Sequence, residues 1–231
     1  MARKKKRSNS KIRHLITKLN PRSPISEQYR TIRTNLQFAS VDDDLTSILV
    51  TSSGLGEGKS MTAANLAIVN AQQGKKVLLI DADLRKPTVH YTFRLDNLTG
   101  LSNILVGESA LEDAIQPSDV DHLDVITCGP IPPNPSELLA SKKMRTVLKQ
   151  AESHYDLVIF DTPPVLAVTD ATILANIVDG SLLVVRSGQT EIESAKAAKE
   201  ALEPANGKLL GTVLNDREKK GSNYYYYYGT N

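Results

Sequence analysis

Apolar residues in this chain fall into two kinds of stretch. Short runs with little polar interruption, Ser47-Ile48-Leu49-Val50-Thr51, Val77–Ile80, Leu123–Thr127, Leu157–Phe160, Leu182–Val185 and Leu209–Leu214, are rich in Val, Leu and Ile. They predict strands buried on both faces. Between them, apolar residues recur at helical spacing. Ile25, Tyr29, Ile32, Leu36 and Ala39 predict a helix entered after Pro21 to Pro24, with Ser26 as its N-cap. Met61 to Gln73 predicts a second helix, stopped by Gly74, and further helices are expected near 102–115, 136–152, 169–178 and 191–203. Buried-type strands alternating with helices predict an α/β fold: a mostly parallel central sheet flanked by helices.

Length fits one such domain rather than two. Of 231 residues, 21–218 are assigned to it, leaving 1–20 as a basic, flexible arm and 219–231 as a tail. The net charge of +2 conceals an asymmetry. Arg3-Lys4-Lys5-Lys6-Arg7, Lys11, Arg13, Lys18 and Arg22 crowd the start, and the remainder is net acidic. Such an arm either solubilises the chain or contacts an anionic surface or a partner; without supporting motifs, nucleic acid is not expected. A single cysteine, Cys128, has no intramolecular partner and fits a reducing cytoplasm. No run approaches the ~20 apolar residues that span a bilayer, so the expected location is cytoplasmic, peripheral to the membrane through a partner.

The candidate chemistry lies at the strand ends. Ser53-Gly54-Leu55-Gly56-Glu57-Gly58-Lys59-Ser60 follows a predicted strand and opens a predicted helix, the setting of a phosphate-binding loop. Gly54, Gly56 and Gly58 let the backbone curl around phosphate oxygens, with the helix N-terminus adding positive potential. Lys59 is expected to reach the β- and γ-phosphates and Ser60 to offer its hydroxyl to Mg2+. As an exposed loop lysine, Lys59 is expected to contribute little to folding. Ser53 stands where the usual pattern has its first glycine. Two other strands end in carboxylates, Asp81 and Asp83 after one and Asp161 after the other. Asp81 and Asp83 either cap the next helix or, like Asp161, hold a metal ion, and a phosphate-binding loop one strand upstream favours the metal. Asn215, past the last strand, either reads adenine or forms a turn.

The tail is the remaining anomaly. Tyr224, Tyr225, Tyr226, Tyr227 and Tyr228 stand in a row, bracketed by small polar residues, in a chain with only eight tyrosines. Alone they would read as a frayed end; beside a phosphate-binding loop they are candidate phosphoryl acceptors.

Taken together, Gly58-Lys59-Ser60, the segment from Val77 through Asp81-Ala82-Asp83-Leu84-Arg85-Lys86-Pro87, and Val158-Ile159-Phe160-Asp161-Thr162-Pro163-Pro164 resemble Walker A, A′ and B of the bacterial tyrosine kinases. Glu27-x-x-Arg30-x-x-Arg33 and the tyrosine row match that family too, and the resemblance covers roughly residues 21 to 231. It is closest to the Gram-positive type, a kinase separate from its membrane-spanning activator, acting in exopolysaccharide or capsule production. The resemblance implies a P-loop NTPase fold and ATP held by Gly54, Gly56, Glu57, Gly58, Lys59, Ser60, Met61 and Asn215. It implies Mg2+ held by Ser60, Asp83 and Asp161, and Asp81 as base toward the incoming phenol. It further implies a ring-shaped homo-oligomer with Glu27, Arg30 and Arg33 at its interface, tail phosphorylation in trans, a polysaccharide co-polymerase type adaptor, phosphorylated protein substrates and an opposing phosphatase. The rival is an ATPase switch of the kind that partitions plasmids or positions division. Such switches carry a second lysine early in the loop, where this chain has Gly54. A nucleotide-binding adaptor without chemistry is a third reading.

Overall fold

The structure, a computed structural model, describes residues 15–39 and 45–218. Its strands are β1 (Ser47–Ser52), β2 (Val77–Asp81), β3 (Ile115–Pro117), β4 (Leu123–Ile126), β5 (Leu157–Asp161), β6 (Gly180–Arg186) and β7 (Lys208–Asn215). Helices are α1 (Ile16–Leu19), α2 (Pro24–Ala39), α3 (Lys59–Ala71), α4 (Val89–Phe93), α5 (Leu101–Val106), α6 (Leu111–Ala114), α7 (Pro135–Ala140), α8 (Lys142–Glu152), α9 (Asp170–Ala175) and α10 (Ile192–Leu202). The strands form one sheet in the order β3-β4-β2-β5-β1-β6-β7. Every pairing is parallel except that of β3 with β4.

Alternate residues of each inner strand serve opposite faces, as a pleat requires. Leu49, Leu78, Ile80, Val158 and Phe160 join one core with α5, α7, α8, α9 and α10, while Ile48, Val50, Val77, Leu79 and Ile159 join another with α3. Both faces are therefore covered, and the predicted parallel sheet is borne out. Strands β1, β2 and β5 are adjacent in the sheet or separated by one neighbour, and their C-terminal ends open onto one crevice.

Several expectations need correction. The arm expected over 1–20 ends sooner, because Leu15 is buried and α1 packs on α2 and α3. The Oδ1 of Asn65 in α3 accepts from both Thr17 N (3.0 Å) and Thr17 Oγ1 (2.7 Å). The N-cap of α2 is Ser23, whose Oγ accepts from Ser26 N (3.1 Å); Ser26 lies inside the first turn and donates its hydroxyl to Asn20 O (2.7 Å). The helix expected over 102–115 is instead α5, α6 and the antiparallel β3, whose Pro117 is tolerated because an edge strand leaves one backbone side unpaired. That over 136–152 breaks at Ser141, which turns extended and caps α8 by accepting from Met144 N (3.2 Å).

Cys128, at the end of β4, is fully buried and its thiol is pushed up to about 12 by burial, with the Asp81 and Asp83 charges adding to it. A protonated, inaccessible thiol is a poor nucleophile. Ellman's reagent is expected to leave the native chain unmodified at pH 8 and to label one thiol per chain in denaturant; fast labelling of native protein would contradict this burial.

Candidate active site

Strand register brings the two acidic elements together. Asp81 and Asp161 are direct partners across β2 and β5, and Val50, just before the phosphate-binding loop, is the partner of Asp161 on the other side. The loop then reverses into α3 through Gly58, whose φ of 97° lies in the left-handed region. A Cβ at Gly58 would also lie 2.1 Å from Asn215 Nδ2, so a side chain there would push away the amide that braces the loop. Gly56 likewise has positive φ, at 80°, but Gly54 does not, and a Cβ there would meet Glu57 only at 3.5 Å. Curvature thus rests on Gly56 and Gly58, contrary to the equal role expected of Gly54.

Ser53 has its own function at the position where glycine was expected. Its Oγ donates to the Glu57 carboxylate (2.7 and 2.9 Å), which also accepts from Thr190 Oγ1 (2.6 Å). Asn215 Nδ2 donates to Glu57 O (2.8 Å). The loop is therefore braced from within and from the ends of β6 and β7. Glu57 serves this brace with its side chain and can face a ligand only through its backbone. Asn215, expected to read adenine or form a turn, holds the loop with its amide nitrogen and retains its amide oxygen for a ligand.

Lys59 departs most from expectation. Its side chain is only 12% exposed, and Nζ lies 3.0 Å from Asp83 Oδ2, 3.3 Å from Asp161 Oδ1 and 3.4 Å from Ser60 Oγ. It is a buried cation between two carboxylates. Burial works to lower its pKa, and Asp161 and Asp83 more than offset this, leaving it above the usual lysine value. Burial in turn raises the Asp161 carboxyl, against the pull of Lys59.

Asp83 is held through Oδ1, which accepts from Lys86 N (3.0 Å). Asp161 Oδ2 is buried without a hydrogen-bond partner, an acceptor that a metal ion or its water would satisfy. Asp81 is fully buried. One oxygen accepts from Thr88 N and Val89 N (2.9 Å each), the other from Asp83 N (3.2 Å). It caps α4, as the blander of the two expectations had it, while Asp83 caps a turn. Burial, then the Asp161 charge, push Asp81 up to about 7 against those backbone N–H groups and Lys59. Among the described residues, no group of three or more His, Cys, Asp or Glu forms a metal cage. Asp83, Asp161 and Ser60 nevertheless fit Mg2+, which takes one or two carboxylates and completes its shell with phosphate and water.

Glu27, Arg30 and Arg33 lie on α2, away from this crevice. Arg30 pairs with Glu27 and donates to Pro21 O (2.8 Å), whereas Arg33 Nη1 donates to Val69 O (2.7 Å) of α3. Arg33 is thus committed within its own chain. The row Tyr224 to Tyr228 lies outside the described residues.

A family profile described as an AAA domain matches residues 45–193, from the start of β1 into α10. Over the whole chain, the sequence is 57% identical to tyrosine-protein kinase YwqD of Bacillus subtilis (strain 168), covering 97% of that relative. The chain belongs to the bacterial tyrosine-protein kinase family. Among solved structures, the chimerical protein CapA2B2 superposes with a TM-score of 0.86 at 45% identity, over 89% of this chain and 90% of that one. The kinase domain of Escherichia coli tyrosine kinase ETK gives 0.85 at 39% identity, over 92% and 85%. The expected protein-tyrosine kinase activity and P-loop fold are accordingly borne out, and the ATPase-switch rival recedes. Among the described residues of the kinase, no helix is long and apolar enough to cross a membrane.

The sequence missed Arg85 as part of the site. Its guanidinium grips Asp170, which is 85 positions away, and no local spacing announces such a pair.

Proposed function

We propose that this kinase transfers the γ-phosphoryl group of Mg-ATP to tyrosine hydroxyls, its own tail among them, in trans within a homo-oligomer. The observation that carries this reading is the placement of Lys59 between Asp83 and Asp161 at the mouth of a glycine-rich loop. The loop amides and Lys59 would hold the β- and γ-phosphates, with Met61 just inside α3 and Asn215 at the adenosine side. Asp83, Asp161 and Ser60 would hold Mg2+, which when bound neutralises phosphate charge.

Lys59 engages the two carboxylates that would hold the metal. Nucleotide must draw its ammonium toward phosphate, which frees two carboxylates for the ion. Transfer breaks the bond between γ-phosphorus and the bridging oxygen, leaves ADP, and forms a bond to the phenolic oxygen. The phenol, with a pKa of ~10, must shed its proton as that bond forms. Asp81, poised at about 7, is the acceptor we assign. It also holds its loop closed, so Asp81→Asn is expected to impair both loop geometry and proton transfer.

The physiological setting we infer is exopolysaccharide or capsule production at the cytoplasmic face of the membrane. There a polysaccharide co-polymerase type adaptor would activate the kinase and a phosphatase would oppose it. Incubation with ATP labelled on its γ-phosphate, followed by mapping of the modified residues, tests the reading. Label is expected on Tyr224 to Tyr228, rising when a cytoplasmic adaptor fragment is added. Replacing all five by Phe should remove most label while preserving ATP binding and phosphorylation of an added tyrosine polypeptide. Label mainly on serine, or undiminished in the five-Phe variant, would refute tail phosphorylation.

A further inference from the structure

Strands β4, β2 and β5 are consecutive neighbours in the sheet, and each sends a loop from its C-terminal end. One buried carboxylate ties those loops together. Asp170, at the start of α9 beyond β5, is fully buried and is gripped by Arg85 from the loop after β2, Nε to Oδ2 at 2.9 Å and Nη2 to Oδ1 at 3.1 Å. Ser136, in the first turn of α7 beyond β4, donates its hydroxyl to the same Oδ1 (2.7 Å) and accepts from Arg85 Nη2 (2.9 Å). We propose that Arg85, through Asp170 and Ser136, is a positioning residue that holds the loop carrying Asp83 against α9, so that Asp83 stays aligned with Asp161 for transfer to the acceptor.

The loop in question is short and closed on itself. Asp81 binds the N–H groups of Thr88 and Val89 at its far end, Asp83 accepts from Lys86 N, and Arg85 projects from its apex. The clasp anchors that apex to the helix following Asp161. Sheet pairing already sets Asp81 opposite Asp161; the clasp fixes the loop beyond that pair from outside, with no contact to the nucleotide loop. ATP is held mainly by the loop after β1, braced from β6 and β7 on the opposite side. Loosening the clasp should consequently impair the chemical step rather than nucleotide binding. A bidentate guanidinium matches a carboxylate plus hydroxyl in one plane, which a single ammonium does not reproduce.

This inference rests on the site reading above, and its test separates the two. Arg85→Gln, Arg85→Lys and Asp170→Asn are measured for kcat and KM toward ATP with an added tyrosine polypeptide, alongside thermal melting. All three are expected to lower kcat at least ~10-fold with KM for ATP within about 2-fold, a loss of about 1.4 kcal/mol of transition-state stabilisation. Lysine should fail to rescue, and Arg85→Gln combined with Asp170→Asn should be no worse than the poorer single variant. Wild-type kcat in the Arg85 variants, restoration by lysine, or a kcat loss that follows only the fraction unfolded at the assay temperature would overturn the clasp. Asp83→Asn separates the two readings: wild-type activity there would overturn the site itself, whereas an inactive Asp83→Asn beside active Arg85 variants would overturn only the clasp. A variant that fails to fold is replaced by Ser136→Ala, which removes two hydrogen bonds and leaves the ion pair. It is expected to lower kcat by less than Arg85→Gln, again at unchanged KM for ATP, and wild-type kcat would count against the clasp.

Discussion

Lys59→Met is expected to abolish phosphotyrosine formation and also to lower the melting temperature of the nucleotide-free kinase. The first effect follows from removing a cation aimed at phosphate, a loss of at least ~10²–10³-fold by comparison with other preorganised electrostatic groups. The second follows from burial. Methionine would leave Asp83 and Asp161 facing one another without a counter-charge, in a place where Asp161 has no exposure at all. Removing one partner of a buried ion pair costs up to about 3–5 kcal/mol. Protonation of Asp161 softens that cost, since burial already raises its pKa. The diagnostic observation is metal dependence without nucleotide. In the proposed wild-type site the ammonium would compete with Mg2+ for the same two carboxylates, so millimolar Mg2+ should hardly move the melting curve. In Lys59→Met it should restore much of the lost stability, and Mn2+ should become detectably bound by electron paramagnetic resonance. Equal metal response in the two proteins, or an unchanged melt in the variant, would contradict the placement of Lys59 as a stand-in for the metal.

The sequence carried the inner sheet well because β1, β2, β5 and β6 are buried on both faces, whereas β7, expected to be so too, is a half-exposed edge strand. A strand such as β2 or β5 is an unbroken apolar run ending in Asp, and it reads the same way in one dimension as in three. The phosphate-binding loop was legible for a similar reason: Gly56 and Gly58 act through backbone geometry that consecutive residues fix. What escaped depends on tertiary partners. Helix α1 is four residues long and would be unstable alone; it exists because Leu15 and Thr17 find a site on α3. Lys59 looked like an exposed loop residue because Asp83 and Asp161 lie 24 and 102 positions away. Arg33 looked like one member of a charged strip, yet it caps a carbonyl of α3. In each case the chemistry was visible and the partner was not.

That distinction decides how the inferred assembly should be tested. Alanine at all three of Glu27, Arg30 and Arg33 would break the Arg33 contact with Val69 O, so a loss of oligomer could reflect a loosened α2 rather than a lost interface. Glu27 is the cleaner probe. Its side chain is 64% exposed and its ion-pair partner is Arg30 of its own helix, with the Arg33 charge also near it, surface interactions worth about 0–1 kcal/mol each. Glu27→Arg should therefore leave the melting temperature nearly unchanged. At a subunit contact the reversal sets like charges against Arg30 or Arg33 of the neighbour, and a closed ring repeats that penalty at every interface. The expected result is monomer by light scattering at concentrations where wild type is oligomeric, with weak tail labelling but preserved phosphorylation of an added tyrosine polypeptide. Phosphorylation of the tail should act in the same direction. Each phosphotyrosine adds about −1.5 to −2 charges, so five would add roughly −7.5 to −10 beside ATP and the carboxylates Asp81, Asp83 and Asp161. A tail that bridges neighbours would be expelled by that charge, and the assembly would open. Matched samples of wild type, phosphorylated and phosphatase-treated, should differ in mass, the treated form being larger. Equal masses at the same concentration would remove the switch, and an oligomeric Glu27→Arg protein would remove α2 from the interface.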